Sequence, residues 1–366
     1  MNLVAPKSSR HFNALTGFRC LAACMVFLYH NRKYWRDSLH PELLRLLNEF
    51  HIGVSLFFVL SGFLIAYTYA EEPLQSAKSY LKYFSIRFVR IMPLYWLILT
   101  AYYLDAAFGK MQFSWLTYSL FHGFSDIHNL DAIGQAWSLT IEMTFYALAP
   151  LLFLLQKKHL LYLPGFLALL FLGTWGIGVY WHHVNGNPGR WLYPLHFILT
   201  GTFAGRSMEF VAGMALAYYM RNNNTKFIEN FRFKTVIGFA GISIAAWCIG
   251  LFQPNAFTQG SDEVGGMILQ LLVLPLFVAI ALAGLIYEQT WLQKFFSSKV
   301  LVLLGNASFA FYLIHISYVN IKVRELFLLP DRNFVVLWLI AIALYLVVEK
   351  PVYNGYRKWI KIRSPK

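Results

Sequence analysis

Ten apolar segments, each close to the length that crosses a lipid bilayer, account for more than half of this chain. A helix that spans the hydrocarbon core needs about 20 mostly apolar residues, and backbone groups placed there must bond to one another. The pattern therefore predicts helices that pack together inside a membrane. The segments are roughly residues 14–30, 51–70, 91–108, 133–155, 160–181, 196–220, 234–252, 266–287, 300–321 and 334–349.

Composition agrees with this prediction, since 58% of the 366 residues are hydrophobic and only 13% are charged. Soluble domains carry about 25% charged residues. We expect an all-α fold, a polytopic transmembrane helix bundle of about ten helices. Because the loops are short, we expect one transmembrane domain over residues 1–366, with short cytoplasmic tails at about 1–13 and 351–366. The segment at 196–220 contains three glycines and Arg206, so a broken or re-entrant helix is expected there.

The distribution of Lys and Arg residues between the loops indicates how the chain is oriented. Short cytoplasmic loops carry more of these residues than outer loops do. With the N-terminus inside, 19 of the 31 Lys and Arg residues lie in inner loops and tails, and nine lie in outer loops. We therefore expect both termini in the cytoplasm. The formal charge of +14 is scattered through these loops, which favours a role in topology, or an anionic ligand, over nucleic-acid binding.

The first segment carries two ionisable side chains, Arg19 and His30, in an otherwise apolar run. They are eleven residues apart, so on an α-helix they project from one face, about 16 Å apart along the axis. Ionisable residues at membrane depth are costly and indicate function. The predicted orientation places Arg19 toward the cytoplasm and His30 at the outer end. Because the segment also lacks a small-residue cleavage site, we expect a retained span rather than a cleaved secretory signal.

Two arginines and a carboxylate extend this pattern. Arg87 and Arg90 share a helix face at the cytoplasmic mouth of the third segment, where two guanidiniums suit a phosphate-bearing ligand. Topology alone also explains basic residues at a cytoplasmic helix end. Glu142 lies in the middle of the fourth segment, where a carboxylate must be paired, protonated or facing a cavity. Near His30 it would orient and charge-balance the imidazole, and a structural hydrogen bond between helices is the alternative.

Three aromatic or imidazole side chains are candidate contacts for a substrate: His315 in the ninth segment, Trp137 in the fourth and Tyr34 after the first. Aromatic rings at the outer rim can stack on sugar faces, but they also form the ordinary interfacial belt of membrane proteins. A packed core histidine is the alternative for His315. The three cysteines all lie in apolar segments with too few further ligands nearby, so we expect small buried side chains and no metal.

Taken in order, these residues resemble the acyltransferase 3 family of integral membrane proteins over about residues 12–360. Many relatives carry a second acidic residue after the glutamate of the fourth segment, where this chain has Met143, so Glu142 is the one carboxylate candidate there. The chain is expected to be the stand-alone form, without an appended hydrolase-like domain. The motifs are Arg19-x10-His30 in GFRCLAACMVFLYH, GVSLFFVLSGFLIAY, Arg87-x-x-Arg90 in RFVRIMPLYW, WSLTIEMTFYALAPLL around Glu142, LGNASFAFYLIH and VEKP.

The resemblance implies an O-acyltransferase of the bacterial cytoplasmic (inner) membrane. Such an enzyme moves an acyl group, usually acetyl, from cytoplasmic acyl-CoA to a hydroxyl of an extracytoplasmic glycan or lipid-linked oligosaccharide, such as exopolysaccharide or lipopolysaccharide O-antigen. Membrane lipid and polysaccharide-assembly proteins are the other expected partners. Coenzyme A joins a polyanionic end to a thioester through a long arm, and the 16 Å between Arg19 and His30 is of that scale.

The residue roles follow from that chemistry. Arg19, Arg87 and Arg90 would bind the coenzyme A donor, His30 would be the general base for the acceptor hydroxyl, and Glu142 would orient His30. Direct transfer and a covalent acyl-histidine relay both remain open. Two other functions also remain open: a transporter of a lipid-linked sugar or small anion, and a non-catalytic partner of a polysaccharide synthase.

Overall fold

The computed structural model describes residues 10–35, 38–71, 76–105, 114–158, 162–221, 232–255, 258–327 and 330–363. The regular secondary-structure elements in these ranges are all helices, which confirms the predicted all-α fold. They are α1 (Arg10–Asn31), α2 (Pro41–Asn48), α3 (Gly53–Tyr69), α4 (Ala77–Leu104), α5 (Trp115–Tyr118), α6 (Trp137–Lys158), α7 (Tyr162–Asn185), α8 (Leu195–Gly201), α9 (Phe203–Arg221), α10 (Lys234–Gly250), α11 (Val264–Ile268), α12 (Leu274–Tyr287), α13 (Trp291–Phe296), α14 (Lys299–Ile314), α15 (Tyr318–Phe327), α16 (Pro330–Leu344) and α17 (Lys350–Arg363). Two π-helical turns, Leu269–Val273 and Tyr345–Glu349, join α11 to α12 and α16 to α17.

Within the described ranges, six helical stretches are long and apolar enough to cross a membrane on their own. The bent pair α14 and α15 gives a seventh candidate, and α10 is a shorter apolar helix. These helices confirm the predicted polytopic bundle. The orientation of the termini stays a prediction. The six stretches are Pro41–Tyr69, Ala77–Leu104, Gly134–Lys157, Tyr162–Asn185, Val264–Tyr287 and Asn333–Ile360.

The chain divides into two compact units. The first comprises residues 1–67 and 208–312, and the second comprises residues 68–207 and 313–366. Each unit is therefore assembled from two separate stretches of sequence. That residues 1–366 form one functional domain stays a prediction.

Helix α4 begins at Ala77, well before the predicted segment at 91–108, whose last residues 106–108 lie outside the described ranges. Ser76 and Ser79 form a reciprocal cap at its N-terminus, with Ser79 N donating to Ser76 Oγ at 3.1 Å and Ser76 N donating to Ser79 Oγ at 3.2 Å. Arg87 consequently lies about 15 Å inside the helix. The prediction that Arg87 and Arg90 stand at a helix mouth was wrong, because polar first turns concealed the helix start.

The predicted ninth segment, 300–321, is two helices rather than one. Helix α14 ends at Ile314, α15 begins at Tyr318, and their axes differ by 91°. The carbonyls released by this break have side-chain donors: Gln135 Nε2 donates to the Leu313 carbonyl at 2.6 Å, and Asn320 Nδ2 donates to the His315 carbonyl. His315 therefore lies in the break, not on a continuous helix as predicted.

Two other sequence predictions concern the segment at 196–220 and the tails of the chain. The expected break in segment 196–220 is confirmed, since α8 ends at Gly201 and α9 begins at Phe203. The tail expected at 351–366 is helical through Arg363 as part of α17. Residues 1–9 and 364–366 of the two expected tails lie outside the described ranges.

Gly62 and Gly213 let α3 and α9 pack backbone against backbone. A Cβ atom on Gly62 would lie 2.2 Å from the Phe210 carbonyl oxygen, and one on Gly213 would lie 2.0 Å from the Val59 carbonyl oxygen. The rings of Phe58 and Phe210 stack beside this contact, with centroids 4.8 Å apart. Small residues serve the same purpose in other membrane helix pairs.

We expect Gly62→Ala to destabilise the protein, because the added methyl group meets main-chain atoms that cannot rotate away. Overpacking of this kind costs about 1–3 kcal/mol. The thermal unfolding midpoint of the detergent-solubilised protein measures the effect. Gly176→Ala on α7 is the matched control, since an added Cβ there meets nothing within 4 Å. Equal midpoints for the two variants would contradict the packing argument.

Glu288, directly after α12, caps the N-terminus of α10. Its carboxylate accepts hydrogen bonds from Lys234 N at 2.7 Å, Thr235 N at 2.8 Å and Thr235 Oγ1 at 2.6 Å. Lys234 Nζ lies 3.5 Å from the same carboxylate. Burial raises the pKa of Glu288, but the hydrogen bonds from Thr235 and Lys234 outweigh burial and hold the pKa below its ordinary value.

The pKa depression of Glu288 makes its contribution to stability depend on pH. The stabilisation is fully present above the carboxyl pKa of an unfolded chain, about 4.3, and is lost as the pH falls through the lower folded-state pKa. We expect Glu288→Gln to lower the unfolding midpoint at pH 7 and to differ progressively less from wild type below about pH 4. Unfolding midpoints measured across this pH range check the prediction, which a pH-independent difference would contradict.

Candidate active site

Arg19 and His30 lie on the same helix, as predicted. Both belong to α1 and both side chains are partly buried. Their separation of eleven residues places them on one helix face, about 16 Å apart along the axis. The position of α1 is fixed by close packing, since a Cβ on Gly17 would lie 2.0 Å from the Phe296 carbonyl oxygen. The spacing that motivated the prediction is therefore present in a rigidly packed helix.

The imidazole of His30 stands against the ring of Tyr29, with an edge-to-face contact and centroids 4.7 Å apart. Arg32 is a second neighbour of Tyr29, and its guanidinium carbon lies 4.1 Å from the Tyr29 ring centroid. Arg32 Nη1 also donates to the Tyr29 carbonyl at 2.7 Å, and its Nε donates to Asn48 Oδ1. The His30 end of α1 is thus embedded in an aromatic and cationic environment.

Beyond Tyr29 lies a polar cluster that joins α2 and α3 to the 3₁₀ turn at Gly260–Asp262. Tyr29 OH accepts a hydrogen bond from Gln259 Nε2, and the rings of Tyr29 and His51 have centroids 5.5 Å apart. Glu49, which is fully buried, accepts hydrogen bonds from Gly260 N at 2.7 Å and from Gln253 Nε2 at 2.5 Å. These contacts all lie within the first unit.

Tyr34 belongs to the 3₁₀ turn Arg32–Tyr34 that follows α1 and is 42% exposed. Lys33 Nζ lies 5.3 Å from the centroid of its ring. An exposed ring of this kind suits either a sugar face or the membrane interface. Contact of Tyr34 with a substrate stays a prediction.

Arg87 is a buried cation in the second unit. Its side chain is 9% exposed, its Nη2 donates to Tyr69 OH at 2.9 Å, and its guanidinium carbon lies 4.9 Å from the Tyr69 ring centroid. Arg87 Nε has no hydrogen-bond partner among the described residues, and neither does the buried Tyr83 OH. Buried polar groups are normally hydrogen-bonded. A guanidinium with an unused donor is suited to receive an anionic ligand.

Arg90 lies one turn further along α4 and faces α17. Its guanidinium carbon is 5.9 Å from the Tyr353 ring centroid, and that of Arg357 is 5.7 Å from the same ring. Two cations therefore share one aromatic ring, which reduces the cost of placing them close together. Arg357 was not among the predicted site residues, because nothing local in the sequence links α17 to α4.

Glu142 and Trp137 lie near the start of α6, and each has a polar neighbour in the second unit. Glu142 is in the second turn of the helix and accepts a hydrogen bond from Tyr146 OH. The Trp137 ring centroid lies 5.9 Å from the guanidinium carbon of Arg206, a residue that is 4% exposed. Arg206 Nη1 also donates to the Thr200 carbonyl at 3.3 Å.

His315 is drawn toward the start of α6 by the helix break described above. Gln135, two residues before Trp137, holds the Leu313 carbonyl, and a Cβ on Gly134 would lie 3.7 Å from Ile316 Cδ1. His315 itself is 1% exposed. A buried histidine in a helix break is better placed to support the fold than to contact an acceptor from outside.

The predicted residues thus fall into two groups. Arg19, His30 and Tyr34 belong to the first unit, whereas Arg87, Arg90, Trp137, Glu142 and His315 belong to the second. The pairing of His30 with Glu142 stays a prediction. Sequence reasoning missed Glu49, His51 and Ser261, since contacts that join residues about 210 positions apart leave no local signal. Within the described ranges, no cluster of three His, Cys, Asp or Glu side chains has metal-binding geometry.

Comparison with known proteins gives the chemical class. Residues 12–349 match the acyltransferase domain of the acyltransferase 3 family. The peptidoglycan O-acetyltransferase OatA of Listeria monocytogenes serovar 1/2a is 26% identical over 336 residues, which cover 84% of this chain and 49% of OatA. Nodulation protein 10 of Rhizobium leguminosarum bv. viciae is 26% identical over 338 residues, which cover 76% of this chain and 87% of that protein. This chain spans about half the length of OatA. No solved structure matches it.

Proposed function

Because this chain belongs to the acyltransferase 3 family, we propose that it is a membrane-embedded O-acetyltransferase. It moves an acetyl group from cytoplasmic acetyl-CoA to a hydroxyl of an extracytoplasmic polysaccharide or glycolipid. The name of OatA supports the choice of acetyl and of a glycan acceptor, since that relative is a peptidoglycan O-acetyltransferase. The bacterial cytoplasmic membrane is the location at which such a donor and such an acceptor can both be reached.

The observation that carries this proposal is the placement of Arg19 and His30 on one face of α1, about 16 Å apart along its axis. Two ionisable side chains in an apolar run cost free energy, so a role in helix stability alone does not account for them. Acyl-coenzyme A has a polyanionic end and a reactive thioester separated by a flexible arm. A cation in the middle of α1 and a base near its last residue match these two ends of the donor.

The buried guanidinium of Arg87 supports the same donor. Its Nε is buried with no hydrogen-bond partner in the described part of the chain, while its Nη2 is held by Tyr69 OH. A phosphate oxygen would satisfy this donor through a charge-assisted hydrogen bond. Arg90, with its charge against the Tyr353 ring, would add a second cation on the same helix face.

The chemistry assigned to the residues is general base catalysis. His30 takes the proton of the acceptor hydroxyl, so that the oxygen attacks the thioester carbonyl and the thiol of coenzyme A leaves. Glu142, the predicted partner of His30, would stabilise the imidazolium that forms, as the acid of a triad does. Tyr29, whose ring makes an edge-to-face contact with His30, limits the orientations open to the imidazole. In the covalent version, His30 itself attacks the thioester and then transfers the acyl group to the acceptor.

The decisive experiment supplies acetyl-labelled acetyl-CoA to the cytoplasmic face of membrane vesicles that contain the protein and the cell-surface glycan. We expect label in the glycan, released by mild base as acetate. Vesicles without the protein are the control. Movement of an unmodified sugar across the membrane, with no label in the glycan, would instead favour the transporter function. If a co-expressed polysaccharide synthase is sufficient for transfer of the label, the non-catalytic partner function is favoured.

A further inference from the structure

A serine, a histidine and a carboxylate meet in the first unit beside His30, and we propose that they form an acyl-carrying site in which Ser261 holds the acyl group between donor and acceptor. The inference rests on the proposed O-acetyltransferase function. It adds three residues to that function: Ser261 as nucleophile, His51 as its general base and Glu49 as the group that stabilises the His51 imidazolium.

The geometry follows the order of a catalytic triad. Ser261 Oγ lies 3.1 Å from His51 Nε2, and His51 Nδ1 lies 3.7 Å from Glu49 Oε2. The base is thus within hydrogen-bonding reach of the nucleophile, and the carboxylate stands on the opposite side of the ring. The three residues come from two stretches more than 200 residues apart, so the juxtaposition is a product of folding and not of local sequence.

Hydrogen-bond acceptors face both ring nitrogens of His51. With its proton on Nδ1, a neutral His51 donates to the Asn48 carbonyl oxygen at 3.2 Å. The lone pair of Nε2 is then directed at the Ser261 hydroxyl. Once Nε2 has taken the serine proton, Gln270 Oε1 at 3.3 Å can accept from it. The same surroundings therefore accommodate both protonation states.

The backbone around Ser261 fixes the position of this proposed nucleophile. It is the central residue of the 3₁₀ turn Gly260–Asp262, and the turn is fixed because Gly260 N donates to Glu49 Oε1 at 2.7 Å. A Cβ on Gly260 would lie 1.8 Å from the Ile249 carbonyl oxygen, so the backbone has no room to shift. The carboxylate that faces His51 through one oxygen thus anchors the serine turn through the other.

Tyr29 connects this site to His30. Its ring contacts the His30 ring with centroids 4.7 Å apart and the His51 ring with centroids 5.5 Å apart. Its hydroxyl accepts from Gln259 Nε2, and Gln259 Oε1 lies 3.3 Å from Ser261 Oγ. Both imidazoles therefore contact the same tyrosine ring, which places the two sites next to each other.

His51 Nε2 takes the proton of Ser261, the serine oxygen attacks the thioester carbonyl, and coenzyme A leaves as the thiol with the proton that His51 returns. The serine now carries the acyl group as an ester. His30 then takes the proton of an acceptor hydroxyl, and the acceptor oxygen attacks this ester. The serine oxygen leaves with the proton that His30 gives up. No oxidant, metal or further reactant is required.

The test uses the purified full-length chain and carbon-labelled acetyl-CoA without acceptor, followed by acid quench and peptide mass analysis. We expect acetyl as an ester on the peptide that contains Ser261 and its loss when the acceptor glycan is added. Ser261→Ala should abolish this label and lower transfer to glycan by about 100-fold or more. Ser243→Ala is the control, since that exposed serine donates to the Phe239 carbonyl on α10.

A second variant separates chemistry from folding. Ser261→Cys keeps the size of the side chain, and we expect it to accumulate acetyl as a thioester even if Ser261→Ala does not fold. Acetyl found on His30 and not on Ser261, an unlabelled Ser261→Cys, or full activity of folded Ser261→Ala would each overturn the inference. In those cases wild-type transfer to glycan would leave the proposed function standing. Loss of wild-type transfer would instead refute the proposed function itself.

Discussion

His30→Ala is expected to lower acetyl transfer to the glycan by about 10²–10⁴-fold, the usual contribution of a positioned general base. The side chain is partly buried at the end of α1 and packed against Tyr29, so its removal takes away the base without opening the helix interface. The vesicle assay with labelled acetyl-CoA measures the effect. His30→Gln should be equally inactive, because a carboxamide fills the site but cannot accept a proton at neutral pH.

The matched control is His183→Ala, which removes an exposed histidine from the last turn of another membrane-length helix. We expect this variant to retain wild-type transfer. Comparable expression and unfolding midpoints for both variants would show that the loss is chemical. If acetyl transfer by His30→Ala is within about threefold of wild type, His30 has no part in the mechanism. This conclusion does not depend on the roles assigned to the other residues.

Arg87→Ala is expected to raise the KM for acetyl-CoA by about 10- to 100-fold, because a charge-assisted hydrogen bond contributes about 1.5–3 kcal/mol. The effect should fall on KM more than on kcat, since the arginine is assigned to the phosphates and not to the reacting carbonyl. Arg87→Lys keeps the charge but loses the planar fork that also reaches Tyr69, so an intermediate KM is expected.

Lys78→Ala is the control for Arg87, since Lys78 is an exposed basic residue on the same helix. We expect no change in KM for Lys78→Ala. Titration of acetyl-CoA at saturating acceptor gives both constants. An unchanged KM with a fall in thermal stability for Arg87→Ala would reassign Arg87 to a structural role beside Tyr69 and Tyr83.

The helical architecture could be predicted because backbone groups inside a lipid bilayer must hydrogen-bond to one another, which a helix achieves within a single segment. The apolar segments located most helices, but not where they begin and end. Helix α4 starts at Ala77 because Ser76 and Ser79 cap it, yet its first turns are too polar to be read as part of a membrane segment. The break at His315 depends on Gln135 and Asn320, and one of these donors lies far away in the sequence.

The candidate site was predictable only where one helix supplies its members. Arg19 and His30 are related by helical geometry alone, so their spacing sufficed. Arg87 and Arg90 were predicted as a pair, but the burial of Arg87 and the shared Tyr353 ring depend on tertiary packing. The Ser261 site could not be anticipated, since no spacing rule links residues 49–51 to residues 259–261.

The first helix also bears on how the protein is assembled in the membrane. Helix α1 is not among the six described stretches that qualify as spans by length and apolarity, whereas the next stretch, Pro41–Tyr69, qualifies. An arginine near the centre of a span costs about 2.5–3.5 kcal/mol during insertion by the translocon. During biogenesis α1 would therefore depend on later helices to hold it at membrane depth. Arg19, which is proposed to bind the donor, would thus delay the stable insertion of α1 even though this helix comes first in the chain.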